Sequence, residues 1–138
     1  MKRAVLMGIA PLTALGANGA MAAADARAQF DLICVGTRTP GLIDPPVPYR
    51  IVYRVDLQAM KYCWDDCDRP LRDIAWADAQ WIGFEGNKQE SPAPGASVAF
   101  VNRVTGKYQS YIVGRSASTE AECEPAPFKG FPHPQTKF

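Results

Sequence analysis

Histidine is nearly missing from this 138-residue chain: His133 stands alone, between Pro132 and Pro134. A Ser-His-Asp or Cys-His catalytic arrangement would have to be built on a residue flanked by two prolines. Also missing are a phosphate-cradling glycine loop and a dinucleotide fingerprint. The stretch GRSAS, Gly114 to Ser118, lacks the final glycine of a nucleophile elbow. Net charge is small, with 15 basic and 14 acidic side chains. No basic stripe is available to neutralise phosphates, which argues against a nucleic-acid partner. Amphipathic helical periodicity is nearly absent as well.

A long apolar run occurs once. Met1-Lys2-Arg3 is a short basic start, followed by a charge-free Ala/Leu/Val-rich run from Ala4 to Ala24. That layout predicts a secretory signal peptide over residues 1–28, with cleavage between residues 22 and 28. Gly8, Pro11, Gly16, Asn18 and Gly19 make the run poorly apolar for a retained span of about 20 residues. A lipoprotein reading fails on Ile33 before Cys34 and on Asp31 in the would-be apolar segment. The expected destination is the periplasm or the medium, with no membrane span in the mature protein. Removing Lys2, Arg3, Arg27 and Asp25 leaves twelve basic and thirteen acidic side chains, about neutral. The remainder divides into a β domain, 29–124, and a Pro/Phe-rich tail, 125–138.

Cys34, Cys63, Cys67 and Cys123 all fall in the exported part, and their number is even. In an oxidising compartment this predicts two disulfides. Four cysteines allow three pairings. A C-x-x-x-C pair in an extended strand would sit about 13 Å apart, beyond the roughly 7 Å limit for bridging. A turn at Trp64-Asp65-Asp66 removes that obstacle, and Asp is a good turn former. The favoured arrangement is Cys63 with Cys67 and Cys34 with Cys123, the second tying the ends of the fold together.

Period-two patterns dominate the rest. Phe30 to Val35 reads as a first strand. Thr39-Pro40-Gly41 with Asp44-Pro45-Pro46 reads as a connection, and Tyr49 to Leu57 as a strand with one apolar and one largely charged face. Lys61 to Trp64 is a short strand, and Ile74–Trp76 and Trp81–Phe84 are two more. Gly86 to Gly95 reads as a loop. Ser97–Arg103 and Lys107–Val113 form a hairpin in which Gly106 takes positive φ. Glu122-Cys123-Glu124 is a last strand, after which Pro125, Pro127, Pro132 and Pro134 exclude regular structure, while Phe128 and Phe131 are expected to dock on the domain. The fold class expected is all-β: an antiparallel meander of seven or eight short strands forming a small barrel or a sandwich. An outer-membrane barrel is disfavoured, because such strands need about 9 to 11 residues of clean alternation.

The densest chemistry is KYCWDDCDRP, Lys61 to Pro70. As a zinc site it is short of ligands, since Cys63 and Cys67 need two more. As a calcium loop it places Pro70 at the fifth position and Leu71 where glycine is required. As a redox pair it has one residue too many between the cysteines, and its aspartates would raise a thiol pKa. A disulfide-closed acidic turn is the reading that survives, with Trp64 and Asp65 as the residues it could present to a partner. No metal and no cofactor are expected. The aromatics Trp64, Trp76, Trp81, Tyr49, Tyr53, Tyr108 and Tyr111 serve as cross-strand packing first and as a binding face second.

The start FDLICVG, the strand YRVDL leading into YCWDDC, the hairpin VNRVTGKY and the end CEPAPFKGFP together resemble a group of small exported proteins of Gram-negative bacteria with no assigned function. In architecture alone the chain is similar to small periplasmic lysozyme-inhibitor barrels, without an inhibitor loop to carry over. The function expected is a non-enzymatic, monomeric binding or interaction module, an inhibitor or envelope factor whose partner is an envelope protein or a glycan. A small-ligand carrier with a barrel cavity is the alternative. A hydrolase is the third reading and requires convergent carboxylates across a cleft.

Overall fold

The computed structural model describes residues 28–88 and 91–132. Among them there is no helix and there are nine strands: β1 (Gln29–Thr39), β2 (Val47–Asp56), β3 (Lys61–Trp64), β4 (Arg72–Asp73), β5 (Trp76–Ala77), β6 (Trp81–Glu85), β7 (Ser97–Asn102), β8 (Lys107–Ile112) and β9 (Ser118–Ala126). They form one antiparallel sheet in the order β4-β3-β2-β1-β9-β8-β7-β6-β5. The two edge strands, β4 and β5, are separated in sequence only by Ile74 and Ala75. The sheet must therefore curl until its edges approach. Ile74 donates its N–H to Met60 O on one side of the seam (2.9 Å), and Ala75 donates to Gly83 O on the other (2.9 Å). The outcome is a curled half-barrel and not a two-sheet sandwich.

Strand alternation decides what fills the curl. Leu32 and Cys34 on β1, Tyr53 and Val55 on β2, Tyr62 on β3, Ile82 and Phe84 on β6, Ala99 and Val101 on β7, Tyr108 on β8, and Ala121 and Cys123 on β9 form one buried cluster. Large aliphatic and aromatic members such as Leu32, Val55, Ile82 and Phe84 contribute about 1.5–3 kcal/mol each by leaving water. The expected strand Tyr49–Leu57 does keep its apolar residues on one face, but it runs two residues further at its start. Register between β1 and β9 places Cys34 directly opposite Cys123. They are bonded, with Cα atoms 4.0 Å apart, as are Cys63 and Cys67 at 5.2 Å.

Two details of the β7–β8 and β9 regions show local sequence at work. Gly106 has φ +74° and donates to Asn102 O, while Asn102 Oδ1 accepts the N–H groups of Val104 and Thr105. A side chain at position 106 would be strained in that left-handed conformation and would also press on Cys123 O at 2.6 Å. The last strand is longer than expected and includes Pro125. Cys123 N–H points to Gly106 O on the β8 side, so the nitrogen of residue 125 points the same way, past the end of β8. Proline lacks a donor where none is needed.

The tail that follows folds back over the outer face of β1 and β2. Lys129 N–H donates to Asp31 Oδ1 (3.3 Å) and Arg54 Nη1 to Gly130 O (2.9 Å). Phe128 and Phe131 are half-buried and pack edge to face at 5.3 Å, so both dock as expected. The strap buries Asp31 to 1% exposure. His133, and the expected signal peptide up to residue 27, lie outside the described residues.

Strand direction gives the half-barrel two ends. The upper end carries the β1–β2 connection (40–46), the β6–β7 connection and the β8–β9 turn (113–117). The lower end carries the β2–β3, β5–β6 and β7–β8 turns.

Candidate functional site

A line of rings crosses the interior toward the open seam. Tyr49 and Tyr108 stack at 6.3 Å, Tyr53 and Phe84 at 4.2 Å, and Tyr62 lies between Phe84 (4.9 Å) and Trp64 (6.0 Å). The hydroxyls are used internally. Tyr53 and Tyr108 share a hydrogen bond of 2.9 Å, and Tyr62 Oη donates to Phe84 O at 3.2 Å. β6 bulges at this point, between Gly83 and Glu85. Burial holds the phenols of Tyr49, Tyr53 and Tyr62 neutral. The Tyr62 pKa is pushed up to about 12 by desolvation, with Glu85 adding to the rise and Arg72 opposing it. Tyr49 and Tyr53 are raised further, by burial first and by Tyr108 second.

Arg72 closes the seam. Its guanidinium sits over Trp64 (5.3 Å) and Tyr62 (6.0 Å) and donates from Nη1 to Glu85 Oε1 at 2.8 Å. This links β4 to β6 through side chains where no backbone ladder joins the two edges. Around this bridge lie two open depressions. One, of about 200 Å³, is lined by Tyr53, Trp64, Arg69, Arg72 and Tyr108 among others. The other, of about 190 Å³, is lined by Arg38, Tyr49, Ser97, Tyr111 and Thr119 among others. Glu85 and Ser110 border both, so the two make one stepped groove. Pockets that enclose a drug-sized ligand run to roughly 300–1,000 Å³. Each step of the groove is smaller than that and open, so each admits a single group projecting from a larger partner, and the lining mixes aromatic rings, hydroxyls, guanidinium groups and one ion-paired carboxylate.

Of the residues singled out in the sequence, all four cysteines are in the two disulfides, and none is free. Trp64 is half-buried and turned into the groove, not held out at the turn. Asp65 is exposed, but it is a local fastener: its N–H donates to Val52 O (2.7 Å), and its carboxylate accepts Val52 N–H (3.1 Å). Both Asp65 (φ 50°) and Cys67 (φ 55°) are left-handed. Such conformations cost on the order of 1 kcal/mol each, and the disulfide with the Asp65 hydrogen bonds holds them. Among the described residues no three His, Cys, Asp or Glu side chains cluster as a metal site would require. Trp76 and Trp81 are on the outer face, where Trp81 meets Phe100 edge on at 5.5 Å and Lys88 stands over Trp76. The Trp76 ring covers Gly83, where a Cβ would come within 2.2 Å of it.

Tyr62, Arg72, Glu85 and Ser110 were not singled out from sequence as site residues. The first three are joined by the seam, which depends on β4 and β5 meeting; no local motif encodes that. The β6–β7 connection was legible as a loop, and Glu85 precedes it, but nothing in the sequence pairs it with Arg72. No family model, no curated protein and no solved structure matches the chain. The two disulfides indicate an oxidising, extracytoplasmic environment.

Proposed function

We propose that the chain is a periplasmic or secreted, non-enzymatic binding module that grips a protein or glycan partner through the upper, seam-side groove. The observation that carries this reading is the Arg72 bridge: a guanidinium fixed by Glu85 and by two aromatic rings at the edge of an open, mixed-polarity depression. Groups held in place before a partner arrives lose little freedom on binding. Tyrosine, tryptophan and arginine are also the residues that most often dominate the energy of contact surfaces.

The carrier alternative finds less support in the upper interior, which Tyr53, Tyr62, Phe84 and Tyr108 fill; at the lower end an open, mostly apolar cavity of about 360 Å³, lined by Phe30, Leu32, Ile82 and Val101 among others, is the place where a carried ligand would have to sit. The hydrolase alternative needs two carboxylates facing across a cleft. Glu85 is the carboxylate lining the two depressions, and it is paired with Arg72.

The test is affinity capture from an envelope extract with the disulfide-bonded protein, run beside a Trp64→Ala and a Glu85→Gln variant. The expected result is a partner recovered by the parent protein and depleted with both variants. Recovery of every partner by Trp64→Ala would remove the groove as the contact surface.

A further inference from the structure

We infer that the lower end of the half-barrel is a second binding site, which takes a small monocarboxylic acid with its apolar body in the barrel mouth and its carboxylate on Arg103. The rings of Tyr53, Phe84 and Tyr108 fill the upper interior. Toward the lower end the inward positions are Leu32, Ile82, Val101 and Cys123, and the chain entering β8 offers only Gly106, which has no side chain. Together they leave an open, mostly apolar cavity of about 360 Å³, bordered by Phe30 on β1 and Pro125 on β9. That volume holds roughly a dozen water-sized units, and it falls within the range of pockets that take small ligands. The edge strands β4 and β5 do not line it, so a peptide has no free strand edge to extend there.

Arg103 sets the chemistry of the head group. Among the described residues it is the one charged side chain that lines the cavity. Its backbone N–H donates to Gln80 O (2.7 Å) and its Nη1 to Asp78 O (2.6 Å), which holds the guanidinium across the rim between β7 and the β5–β6 turn. A guanidinium presents several N–H donors in a planar fork. Those left over match a carboxylate, which accepts paired parallel bonds from such a fork. Being held in advance, they lose little freedom on binding.

The carboxylates at this end are engaged or turned away. Asp78 is paired with Lys88, and Asp73 with Lys61. Asp56 accepts from Gln29 Nε2 and from Ala59 N–H, and Asp31 lies under the strap on the outer face. Glu122 and Glu124 are exposed and alternate with buried Cys123, so they also point outward, where Lys107 stands opposite Glu122. None of the six lines the cavity. A ligand in the mouth therefore meets one unpaired positive group and no negative one, which favours an acid over a neutral molecule of the same shape.

The cavity shares no lining residue with the groove, so the two readings fail separately. The experiment is titration calorimetry of the exported, disulfide-bonded protein with octanoate and with octanol at neutral pH, joined to amide chemical shifts. The expected result is one saturable site for octanoate, with octanol weaker by about tenfold or more, as loss of a hydrogen bond to a charged group implies. Arg103→Gln, at an exposed position, should bring octanoate down to the level of octanol and leave octanol unchanged. Pro125→Trp, also at an exposed position, puts an indole over the mouth and should weaken both. Shifts should centre on Leu32, Ile82, Val101 and Gly106. No saturable binding at millimolar octanoate, equal affinity of the parent protein for both ligands, or shifts centred on Trp64 and Arg72 would overturn the proposal. So would a dimer in solution that buries Phe30 and Pro125 and excludes octanoate, since the mouth would then be an interface between copies.

Discussion

The Cys63–Cys67 turn and the Pro40–Pro46 tip are both rigid connections, but they are rigid for different reasons and face different ways. The first is closed by a disulfide, fastened to β2 through Asp65, and turns its one large aromatic, Trp64, back into the groove. The second is braced by prolines and points its two large aliphatic residues into solvent. The turn that is densest in reactive residues is therefore mainly a fastener, whereas the plainer loop is a display. Dense chemistry in a sequence marks where a chain is pinned as often as where it acts.

Perturbations that remove pins and perturbations that remove displays should separate cleanly, and the pins set the larger effects. Replacing Cys34 and Cys123 by Ser opens a bridge between residues 89 apart in sequence, and loop entropy puts the loss near 4.6 kcal/mol. Guanidinium unfolding would measure it. Alkaline pH should cost nearly as much. Tyr49, Tyr53 and Tyr62 hold their protons above the ordinary tyrosine range in the fold, whereas the unfolded chain releases them near pH 10. The stability linked to the neutral phenols is fully present below pH 10 and is lost as pH rises toward about 12, where Tyr62 ionises in the fold. Three such groups remove at most about 3 kcal/mol between pH 10 and 11, visible as a steep fall in urea midpoint.

Replacing Cys63 and Cys67 by Ser should cost about 2 kcal/mol, because the loop closed is short. Asp65→Ala removes the bond to Val52 and a residue type that tolerates left-handed backbone, for about 1 kcal/mol by the same assay. Leu42→Asp with Ile43→Asp should move stability by less than about 0.5 kcal/mol. A large stability loss at the tip, or none at Cys63–Cys67, would reverse the comparison.

Much of this fold was legible because its strands alternate cleanly and its hairpins use expected turn chemistry. The Asn102–Gly106 turn, the Lys61–Trp64 strand and both disulfides followed from local residue types and spacing. Curl could not follow from the same signals. Whether nine short strands make a barrel or a sandwich depends on Ile74 and Ala75 bridging the two sheet edges, a nonlocal fact carried by two hydrogen bonds to Met60 and Gly83. The site was legible only in part for the same reason. Trp64 was conspicuous, but its inward direction is set by pairing with Tyr53 on β2, and its partners Arg72 and Glu85 meet only once the sheet has curled. β9 ran past Pro125 because β8 had already ended there, a relation that only register reveals.

The most direct test of the groove is amide hydrogen exchange of the chain alone and with the partner recovered by capture. Slowed exchange at residues 62–72, 84–86 and 108–112, with the lower end and the outer face of β9 unchanged, is the predicted result. Slowed exchange confined to the lower end around Phe30, Val101 and Gly106, with none at Trp64 or Arg72, would contradict the account.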